Sequence, residues 1–413
     1  MDRGIPRVRR YRGGAAASLT RGRVEYLILG SGPAGSRAAE TIRRREKRAR
    51  IVVVSADSSP FYNRILLSKD FLKHDAVTPE QVVIRPVEIW ETLGIELRAG
   101  RRVVGLDPRE REVCLETGEM LPYERCLVAT GAAPLVLPVP GSLTSGVFTL
   151  RSLNDARRLR EAARKASRAI VVGGGLIGVE VAAALTERGL GCTLIEREDW
   201  PFGLVAPEAV GLALRRILEG GGVEVVTGAT VRGFRRNEDG LRVRVRATAG
   251  VEANGWSYQG DLAVMGVGVR PETGFLSAIE RAPDGGIIVD ERLRSRPGLW
   301  AAGDVAAYPD PHTGIRHRVE HWLHAQYQGR IAGANMTGDD RPYAELTSYD
   351  TELFGTPVQV FGSPALAQAW SVDGIDASGG VAWGSRNGRD VTAYLIGRAG
   401  VDLDEMKRRL KSG

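Results

Sequence analysis

Two stretches of the chain share one order of apolar and polar residues. At 24–40 the sequence VEYLILGSGPAGSRAAE places a short apolar run before a glycine-rich turn, and helix-forming residues follow. At 169–185 the sequence AIVVGGGLIGVEVAAAL has the same order. Such a run predicts a buried strand, a tight turn and then a helix. The repeat is of domain size, so the pattern predicts two α/β domains rather than a solenoid.

Three glycines in each turn have the spacing of a dinucleotide-binding motif. They are Gly30, Gly32 and Gly35 in the first turn, and Gly173, Gly175 and Gly178 in the second. In this motif the first glycine makes the turn, the second lets the backbone approach a pyrophosphate, and the third lets the helix pack on the strand. The N-terminus of the helix then faces the anion.

Each copy also has an acidic residue after its second apolar strand. Asp57 follows the strand in ARIVVVSAD, and Glu196 follows the strand in GCTLIERED. An acid at this place accepts hydrogen bonds from ribose hydroxyls. Two dinucleotides in one chain favour a flavin and a nicotinamide, because a flavin accepts hydride and releases single electrons.

Composition and charge are those of a globular protein with more than one domain. The chain has 413 residues, of which 43% are hydrophobic and 26% are charged, and this length predicts two or three domains. No apolar stretch reaches the roughly 18 to 20 residues of a membrane helix, so no membrane span is expected. The net charge is +7, but residues 1–23 alone hold seven arginines against one acid. We therefore expect a basic, disordered extension on a nearly neutral body, which argues against a nucleic-acid partner; a docking arm for an acidic partner is the alternative.

The cysteines and histidines show no metal-ligand or dithiol spacing. Cys114, Cys126 and Cys192 are far apart in the chain, without a CxxC pair. This usage suits a reducing cytoplasm, and we expect a cytoplasmic protein. His321 and His324 in EHWLH lie one helical turn apart, but no carboxylate or cysteine is patterned around them. No metal site is predicted.

Further motifs carry a resemblance to one family. CLVATGAAP contains Ala129, Thr130 and Gly131 after an apolar strand, and LWAAGDVAAY contains Gly303 and Asp304 after another. With GSGPAG, FYNRILLSK, GGGLIGVE and VEHWLHAQYQG, the chain resembles the FAD-dependent pyridine nucleotide-disulphide oxidoreductase superfamily. Within it the chain is most similar to the ferredoxin/rubredoxin reductase branch. Apoptosis-inducing factor and the flavin module of assimilatory nitrite reductase are also similar to this branch.

The resemblance implies a domain organisation. It implies an α/β fold with two Rossmann-like dinucleotide-binding domains and a small α+β C-terminal domain. The FAD-binding domain would comprise residues 24–150 and 269–338, interrupted by an NAD-binding domain at residues 151–268. Residues 339–413 would form a C-terminal interface domain, and residues 1–23 would form the basic extension.

The resemblance also implies the residues of both cofactor sites. The FAD site would contain Gly30, Gly32, Pro33, Ala34, Gly35, Asp57, Arg64, Lys69, Val103, Ala129, Thr130, Gly131, Arg151, Gly303, Asp304 and Trp322. The NAD site would contain Gly173, Gly175, Ile177, Gly178, Glu196 and Gly268. For Trp322 a place in the core is the alternative. NADH is expected rather than NADPH, because Glu196 would repel a 2′-phosphate, although the neighbouring Arg197 could accept one.

Lys69 raises a separate question. It follows the apolar run Ile65–Leu67, and lysine is almost never buried without a partner. In the family the lysine of LSK lies beside the flavin and pairs with the acid of GxGxxGxE, which is Glu180 in this chain. The resemblance therefore implies that Lys69 and Glu180 are the catalytic pair. A surface lysine is the alternative.

The function that the resemblance implies is electron transfer. Electrons would pass from NADH through FAD to a small iron–sulfur protein of the ferredoxin or rubredoxin type. A homodimer is an open alternative to a monomer. Disulfide reductases of the superfamily carry a cysteine pair where FYNRIL stands, so thiol chemistry is not expected here. The run TSYDTELFG at 347–355 departs from the branch, and leaves the partner open.

Two alternatives to an iron–sulfur reductase stay open. One is an NADH oxidase or quinone-type reductase that acts on a small acceptor without a redox cysteine. The other is a redox-sensing interaction protein like apoptosis-inducing factor. Turnover with and without an iron–sulfur protein separates them.

Removal of residues 1–23 should leave flavin content and NADH-to-dye activity unchanged, because the first predicted strand starts near Val24. The ratio of flavin to protein absorbance measures the first, and steady-state dye reduction the second. If the extension is a docking arm, only the reaction with an acidic protein partner slows, and mostly at low salt. Loss of flavin on truncation would contradict this prediction.

Overall fold

Two mainly parallel sheets and two antiparallel sheets form the frame of the described structure. It is a computed structural model that describes residues 22–238, 240–247, 256–376, 379–397 and 402–412. The predicted basic extension lies outside the described residues, apart from its last two positions.

The first part of the described chain contributes nine strands, three α-helices and one 3₁₀-helix. They are β1 (Val24–Leu29), α1 (Pro33–Arg45), β2 (Ile51–Ser55), β3 (Phe61–Tyr62), a 3₁₀-helix (Arg64–Ser68), α2 (Asp70–Lys73), β4 (Val83–Arg85), α3 (Val87–Thr92), β5 (Ile95–Ala99), β6 (Val103–Asp107), β7 (Glu112–Leu115), β8 (Met120–Val128) and β9 (Ala132–Pro134).

The middle of the chain contributes the following elements. They are β10 (Val147–Thr149), α4 (Leu153–Ala163), β11 (Arg168–Val172), α5 (Leu176–Glu187), β12 (Gly191–Ile195), α6 (Glu208–Gly220), β13 (Val223–Val226), β14 (Ala229–Asn237), β15 (Gly240–Ala247), β16 (Trp256–Gly260), β17 (Leu262–Met265) and β18 (Val269–Pro271).

The remaining elements follow in two groups. The first group is β19 (Ile287–Ile288), β20 (Arg294–Arg296), β21 (Leu299–Ala301), β22 (Ala306–Pro309), β23 (Arg316–His317) and α7 (Trp322–Met336). The second group is β24 (Ser348–Leu353), β25 (Thr356–Gly362), a 3₁₀-helix (Pro364–Leu366), β26 (Ala369–Asp376), β27 (Gly379–Arg386), β28 (Arg389–Gly397) and α8 (Leu403–Ser412).

The first parallel sheet combines strands that precede the middle part of the chain with strands that follow it. Its strand order is β20-β21-β8-β1-β2-β5, and the pairs from β21 to β5 are parallel. Leu27, Ile28 and Leu29 of β1 are fully buried. A strand with both faces covered reads as a continuous apolar run, and this explains why the pattern of β1 was recognisable in the sequence.

Helix α7 packs closely on α1 because two glycines leave room for it. Gly329 and Gly333 lie one helical turn apart. A Cβ on Gly329 would lie 2.1 Å from the carbonyl oxygen of Ala34, and a Cβ on Gly333 would lie 2.8 Å from that of Ala38. This crossing fixes α7 against the helix that follows the first glycine turn.

The second parallel sheet has the order β10-β17-β11-β12-β13, and all its pairs are parallel. One face packs on α5 and α6, and the other packs on the antiparallel sheet β14-β15-β16. Strand β10 belongs to this sheet although it precedes residue 151, where we placed the start of the NAD-binding domain. The domain boundaries themselves stay a prediction.

The C-terminal sheet is antiparallel, with the order β24-β25-β28-β27-β26. Leu353 and Tyr394 on one face share a core with the second parallel sheet. Met406 and Leu410 of α8 pack with Trp383 on the other face. The arrangement confirms the predicted α/β class with Rossmann-like sheets. No helix of the described ranges is long and apolar enough to cross a membrane.

Candidate functional site

The first and third glycines of each turn are required by the packing of the chain itself. Gly30 has φ +112°, and a Cβ there would lie 2.2 Å from the carbonyl oxygen of Ala129. A Cβ on Gly35 would lie 1.9 Å from the carbonyl oxygen of Gly30. In the second turn Gly173 has φ +101°, and a Cβ on Gly178 would lie 1.8 Å from its carbonyl oxygen. Any side chain at these positions would push helix and strand apart.

The middle glycines are different, because nothing in the described protein requires them. A Cβ on Gly32 or Gly175 would meet no heavy atom of the described residues within 4 Å. Their φ angles of −67° and −77° suit any residue. Each is the N-cap residue of a helix, α1 and α5, so open space lies in front of a helix N-terminus. This arrangement fits the close approach of a pyrophosphate.

One cavity of about 800 Å³ contains most of the predicted site residues. Cofactor sites have volumes of about 300 to 1,000 Å³. The predicted residues that line it are Gly30, Gly32, Pro33, Ala34, Asp57, Arg64, Lys69, Val103, Ala129, Thr130, Gly131, Arg151, Gly303, Asp304, Trp322, Ile177 and Glu180. The predicted residues outside its lining are Gly35, Gly173, Gly175, Gly178, Glu196 and Gly268. The cavity therefore gathers the predicted FAD residues, together with the N-terminal turns of α5.

Asp57 is held at one end of this cavity by two hydrogen bonds. Its Oδ2 accepts from the hydroxyl of Tyr62 at 2.8 Å, and its Oδ1 accepts from the backbone N–H of Ser59 at 2.9 Å. The Tyr62 hydroxyl also accepts from the N–H of Leu153 at 3.1 Å. Burial raises the pKa of Tyr62 above its ordinary value, so the phenol stays protonated and donates to the carboxylate.

Glu196 contacts the backbone of the second glycine turn. Its carboxylate accepts a short hydrogen bond from the N–H of Gly174 and another from the N–H of Glu198 at 2.8 Å. The neighbouring Arg197 pairs with Glu198 at 2.7 Å. Glu196 thus stands beside the turn, as an acid that contacts ribose hydroxyls would.

Arg151 and Asp304 meet at the cavity although they are far apart in the chain. Arg151 Nη2 lies 2.7 Å from Asp304 Oδ2. Gly131, with φ +70°, lies against Arg151, so a Cβ there would lie 3.1 Å from Nη2. Arg318 donates to the backbone carbonyl of Asp304 at 2.6 Å. These contacts hold the Asp304 carboxylate, which is largely buried, in one orientation.

Lys69 and Glu180 form an ion pair at the wall of the cavity. Lys69 Nζ lies 3.3 Å from Glu180 Oε1, and the side chains are 23% and 5% exposed. The other carboxylate oxygen, Oε2, accepts from the Ser68 hydroxyl at 2.5 Å. Lys69 is therefore paired rather than free at the surface. The catalytic role of the pair stays a prediction.

Helix α7 begins at the cavity with an aromatic residue. The Trp322 ring stacks on Phe61 with centroids 5.4 Å apart and planes 10° apart. The Arg85 guanidinium lies 5.0 Å from the centroid of the Phe61 ring. His321, the N-cap residue, stacks on Tyr349 at 3.8 Å. Burial lowers the pKa of His321 to about 4, so its imidazole is neutral at pH 7.

The site also contains residues that were not predicted from the sequence, among them Tyr62, Ser68, His321 and Tyr349. Tyr62 and Ser68 contact the predicted acids, while His321 and Tyr349 line the cavity as a stacked pair. Tyr62 and Ser68 both lie in the stretch FYNRILLSK, and this motif could have indicated that they belong to the site. Tyr349 carried no such signal, because its run departs from the family pattern.

No cysteine lines the cavity among the residues that the structure describes around it. Cys126 and Cys192 are buried, and Cys114 is half-buried. Burial raises the pKa of Cys192 to about 12 and also raises that of Cys126. Within the described ranges there is no group of three or more His, Cys, Asp or Glu side chains that could hold a metal ion.

Comparison with known proteins decides the family. The sequence model of the pyridine nucleotide-disulphide oxidoreductases matches residues 24–329. The chain belongs to this family. This confirms the resemblance that the motifs carried, and family membership implies a flavin and NAD(H) as cofactors.

Two curated relatives show where the chain stands within the family. Apoptosis-inducing factor 3 of Mus musculus is 35% identical over 81% of this chain and 54% of its own length. The ferredoxin–NAD(+) reductase component of the anthranilate 1,2-dioxygenase system of Burkholderia cepacia is 31% identical over 94% of both chains. The chain thus spans about half the length of the apoptosis-inducing factor 3 proteins it matches.

A solved structure agrees with this placement. The ferredoxin reductase for the CYP199A2 system of Rhodopseudomonas palustris has a TM-score of 0.83, at 27% identity and 91% coverage of each chain. The predicted ferredoxin reductase branch is confirmed.

The different roles of the glycines can be separated by two matched substitutions. Gly175→Ala should cost at most about 1 kcal/mol in the free energy of unfolding, through the poorer N-cap, yet weaken NADH binding at least tenfold. Gly178→Ala should destabilise the protein by about 1 to 3 kcal/mol or more, because its Cβ overlaps backbone. Urea unfolding and NADH titration measure the two effects. Unchanged NADH affinity in Gly175→Ala would contradict the assignment of the second turn.

Proposed function

We propose that the protein is an FAD reductase that oxidises NADH and passes electrons singly to a small iron–sulfur protein. The observation that carries this proposal is one shared cavity. The first glycine turn lines it, and so do Leu176, Ile177 and Glu180 of α5, the helix that begins at the second turn. Two nucleotides held by these turns would meet at their reactive ends.

The two acidic residues Asp57 and Glu196 indicate which cofactors the protein would bind. Asp57 lies in the same cavity as the first glycine turn, and a ribose contact there requires the adenosine half of FAD, which FMN lacks. Glu196 stands at the corresponding place of the second turn. A carboxylate there accepts from ribose hydroxyls and repels a 2′-phosphate, which favours NADH over NADPH.

The chain's own residues would favour negative charge in the cavity. When bound, the flavin would supply acceptance of hydride and release of single electrons. Lys69 places an ammonium group at the wall, and Glu180 holds that group in place. The N-terminus of α7 adds a partial positive charge. Fixed positive charges of this kind stabilise added electron density in a site that excludes water.

The acceptor is proposed from the absence of thiols and from the relatives. The cysteines of the described structure lie outside the cavity lining, so electrons would leave the flavin directly. Relatives named ferredoxin–NAD(+) reductase components support an iron–sulfur protein as acceptor. The C-terminal sheet contributes Ser348, Tyr349 and Asp350 to the cavity, and the exposed Asp350 would face that partner. An acidic partner for the basic extension, and a homodimer, stay predictions.

A second candidate is a redox-sensing interaction protein. The 35% identity to apoptosis-inducing factor 3 favours it. Such a protein would turn over slowly and change its partners in the NADH-bound state. Slow reoxidation, with a persistent long-wavelength charge-transfer band and altered assembly, would support this candidate.

Steady-state turnover tests the proposed function. The purified protein should be yellow, with one FAD per chain, and should reduce cytochrome c with NADH rapidly only when a ferredoxin or rubredoxin is added. NADPH in place of NADH should give a lower kcat/KM. A colourless protein that cannot take up FAD would contradict the proposal, as would cytochrome reduction that is independent of the iron–sulfur protein.

Substitutions of the ion pair should change the flavin potential. Lys69→Ala should make it more negative and slow hydride transfer, because a cation near the flavin stabilises added electrons. Glu180→Ala should shift it towards positive. The double variant should be less impaired than the sum of the single losses, as residues in contact are coupled by about 0.5 to 3 kcal/mol. Redox titration and stopped-flow reduction of the four proteins measure this. Strictly additive effects would contradict the coupling of the two residues, and an unchanged potential in Lys69→Ala would contradict a place for Lys69 beside the flavin.

A further inference from the structure

Two consecutive residues hold the two oxygens of one buried carboxylate. Ser68, the last residue of its 3₁₀-helix, donates to Glu180 Oε2 at 2.5 Å. Lys69, the next residue, lies 3.3 Å from Glu180 Oε1. Ser68 is 2% exposed, so its hydroxyl is enclosed by protein.

The hydrogen bond from Ser68 restricts a torsion that is otherwise broad. The terminal torsion of a glutamate has a wide, roughly two-fold distribution. A hydroxyl that donates to a carboxylate at 2.5 to 2.7 Å makes a strong, charge-assisted bond. Without that donor, Oε2 of the largely buried Glu180 would lack the partner that it has in the structure, and buried charge requires partners.

We propose that Ser68 is a positioning residue: its hydroxyl fixes the Glu180 carboxylate so that Oε1 faces the Lys69 ammonium at the cavity wall. The effect on the flavin rests on the proposed function. The hydrogen bond and its coupling to Glu180 do not.

A second set of contacts joins the neighbouring segment, α2 and the residues after it, to the C-terminal end of α5 without touching Glu180. Lys73 of α2 pairs with Glu187 of α5 at 2.8 Å. Arg188, the next residue, donates to the carbonyl oxygen of Leu72 at 3.0 Å and pairs with Asp75 at 2.6 Å. Glu187 follows Glu180 by two helical turns, so both lie on one face of α5. These contacts hold α5 against α2. The hydrogen bond from Ser68 additionally orients the Glu180 carboxylate.

The second set supplies a matched control. Lys73→Ala removes an ion pair between α2 and α5 and leaves Glu180 and its partners in place. If Ser68 only held its segment of the chain against α5, Lys73→Ala and Ser68→Ala would have the same effect on the flavin. If Ser68 acts through Glu180, only Ser68→Ala affects the site.

The test is a double-substitution cycle with Ser68→Ala and Glu180→Ala, because alanine removes both oxygens that accept from Ser68 and Lys69. Ser68→Ala should shift the flavin midpoint potential and slow flavin reduction by NADH about tenfold, less than the roughly 100-fold cost of a 1 Å misplacement. In the Glu180→Ala background, Ser68→Ala should change neither quantity further. Lys73→Ala should match the parent protein in both. Ser68→Thr, which retains a hydroxyl, should restore the potential.

Two further measurements keep the proposal open to refutation. If Ser68→Ala does not fold, Ser68→Cys keeps the size with a weaker donor. Its midpoint potential and its rate of flavin reduction should lie between those of the parent protein and those of Glu180→Ala. Urea unfolding of the same four proteins reports the coupling without any electron donor, so failure of NADH to reduce the flavin would count against the proposed function alone. Ser68→Ala effects of equal size in both backgrounds, or equal to those of Lys73→Ala, would overturn the positioning role.

Discussion

The ion pair between Lys69 and Glu180 is the interaction that joins the two halves of the candidate site. It joins the segment after β3, next to the first parallel sheet, to the first half of α5, which packs on the second. Because α5 begins at the second glycine turn, the pair, together with the contacts of Glu187 and Arg188, helps to fix that turn relative to the cavity. A carboxylate buried on this boundary requires a cation and a donor, and Lys69 and Ser68 provide them.

The features of the site that depend on residues close together in the chain could be predicted from the sequence. Gly30, Gly35, Gly173 and Gly178 could be assigned because backbone overlap forbids a side chain there, and such constraints show directly as glycine spacing. The middle glycines are informative for another reason. The described protein leaves space at Gly32 and Gly175, which fits the close approach of a pyrophosphate to both turns.

The side-chain contacts of the site could not be predicted from local patterns, because they join residues that are far apart in the chain. Ser68 and Glu180 are separated by 112 positions, and Arg151 and Asp304 by 153. No periodicity reports that such side chains meet; only the family resemblance suggested the Lys69 pair. The stacking of His321 on Tyr349 had no signal, because β24 departs from the family pattern, and for the same reason the electron acceptor stays a matter for experiment.

The central claim is that one cavity receives both nucleotides at the ion pair. A crystal structure with FAD and NAD⁺ bound tests it most directly. The account predicts that the dinucleotide runs from the turn at Gly173–Gly178 into the cavity, with its nicotinamide beside Ile177 and an intact Lys69–Glu180 pair. A nicotinamide outside the cavity, or a Lys69 ammonium turned away from Glu180 and the flavin, would contradict the account.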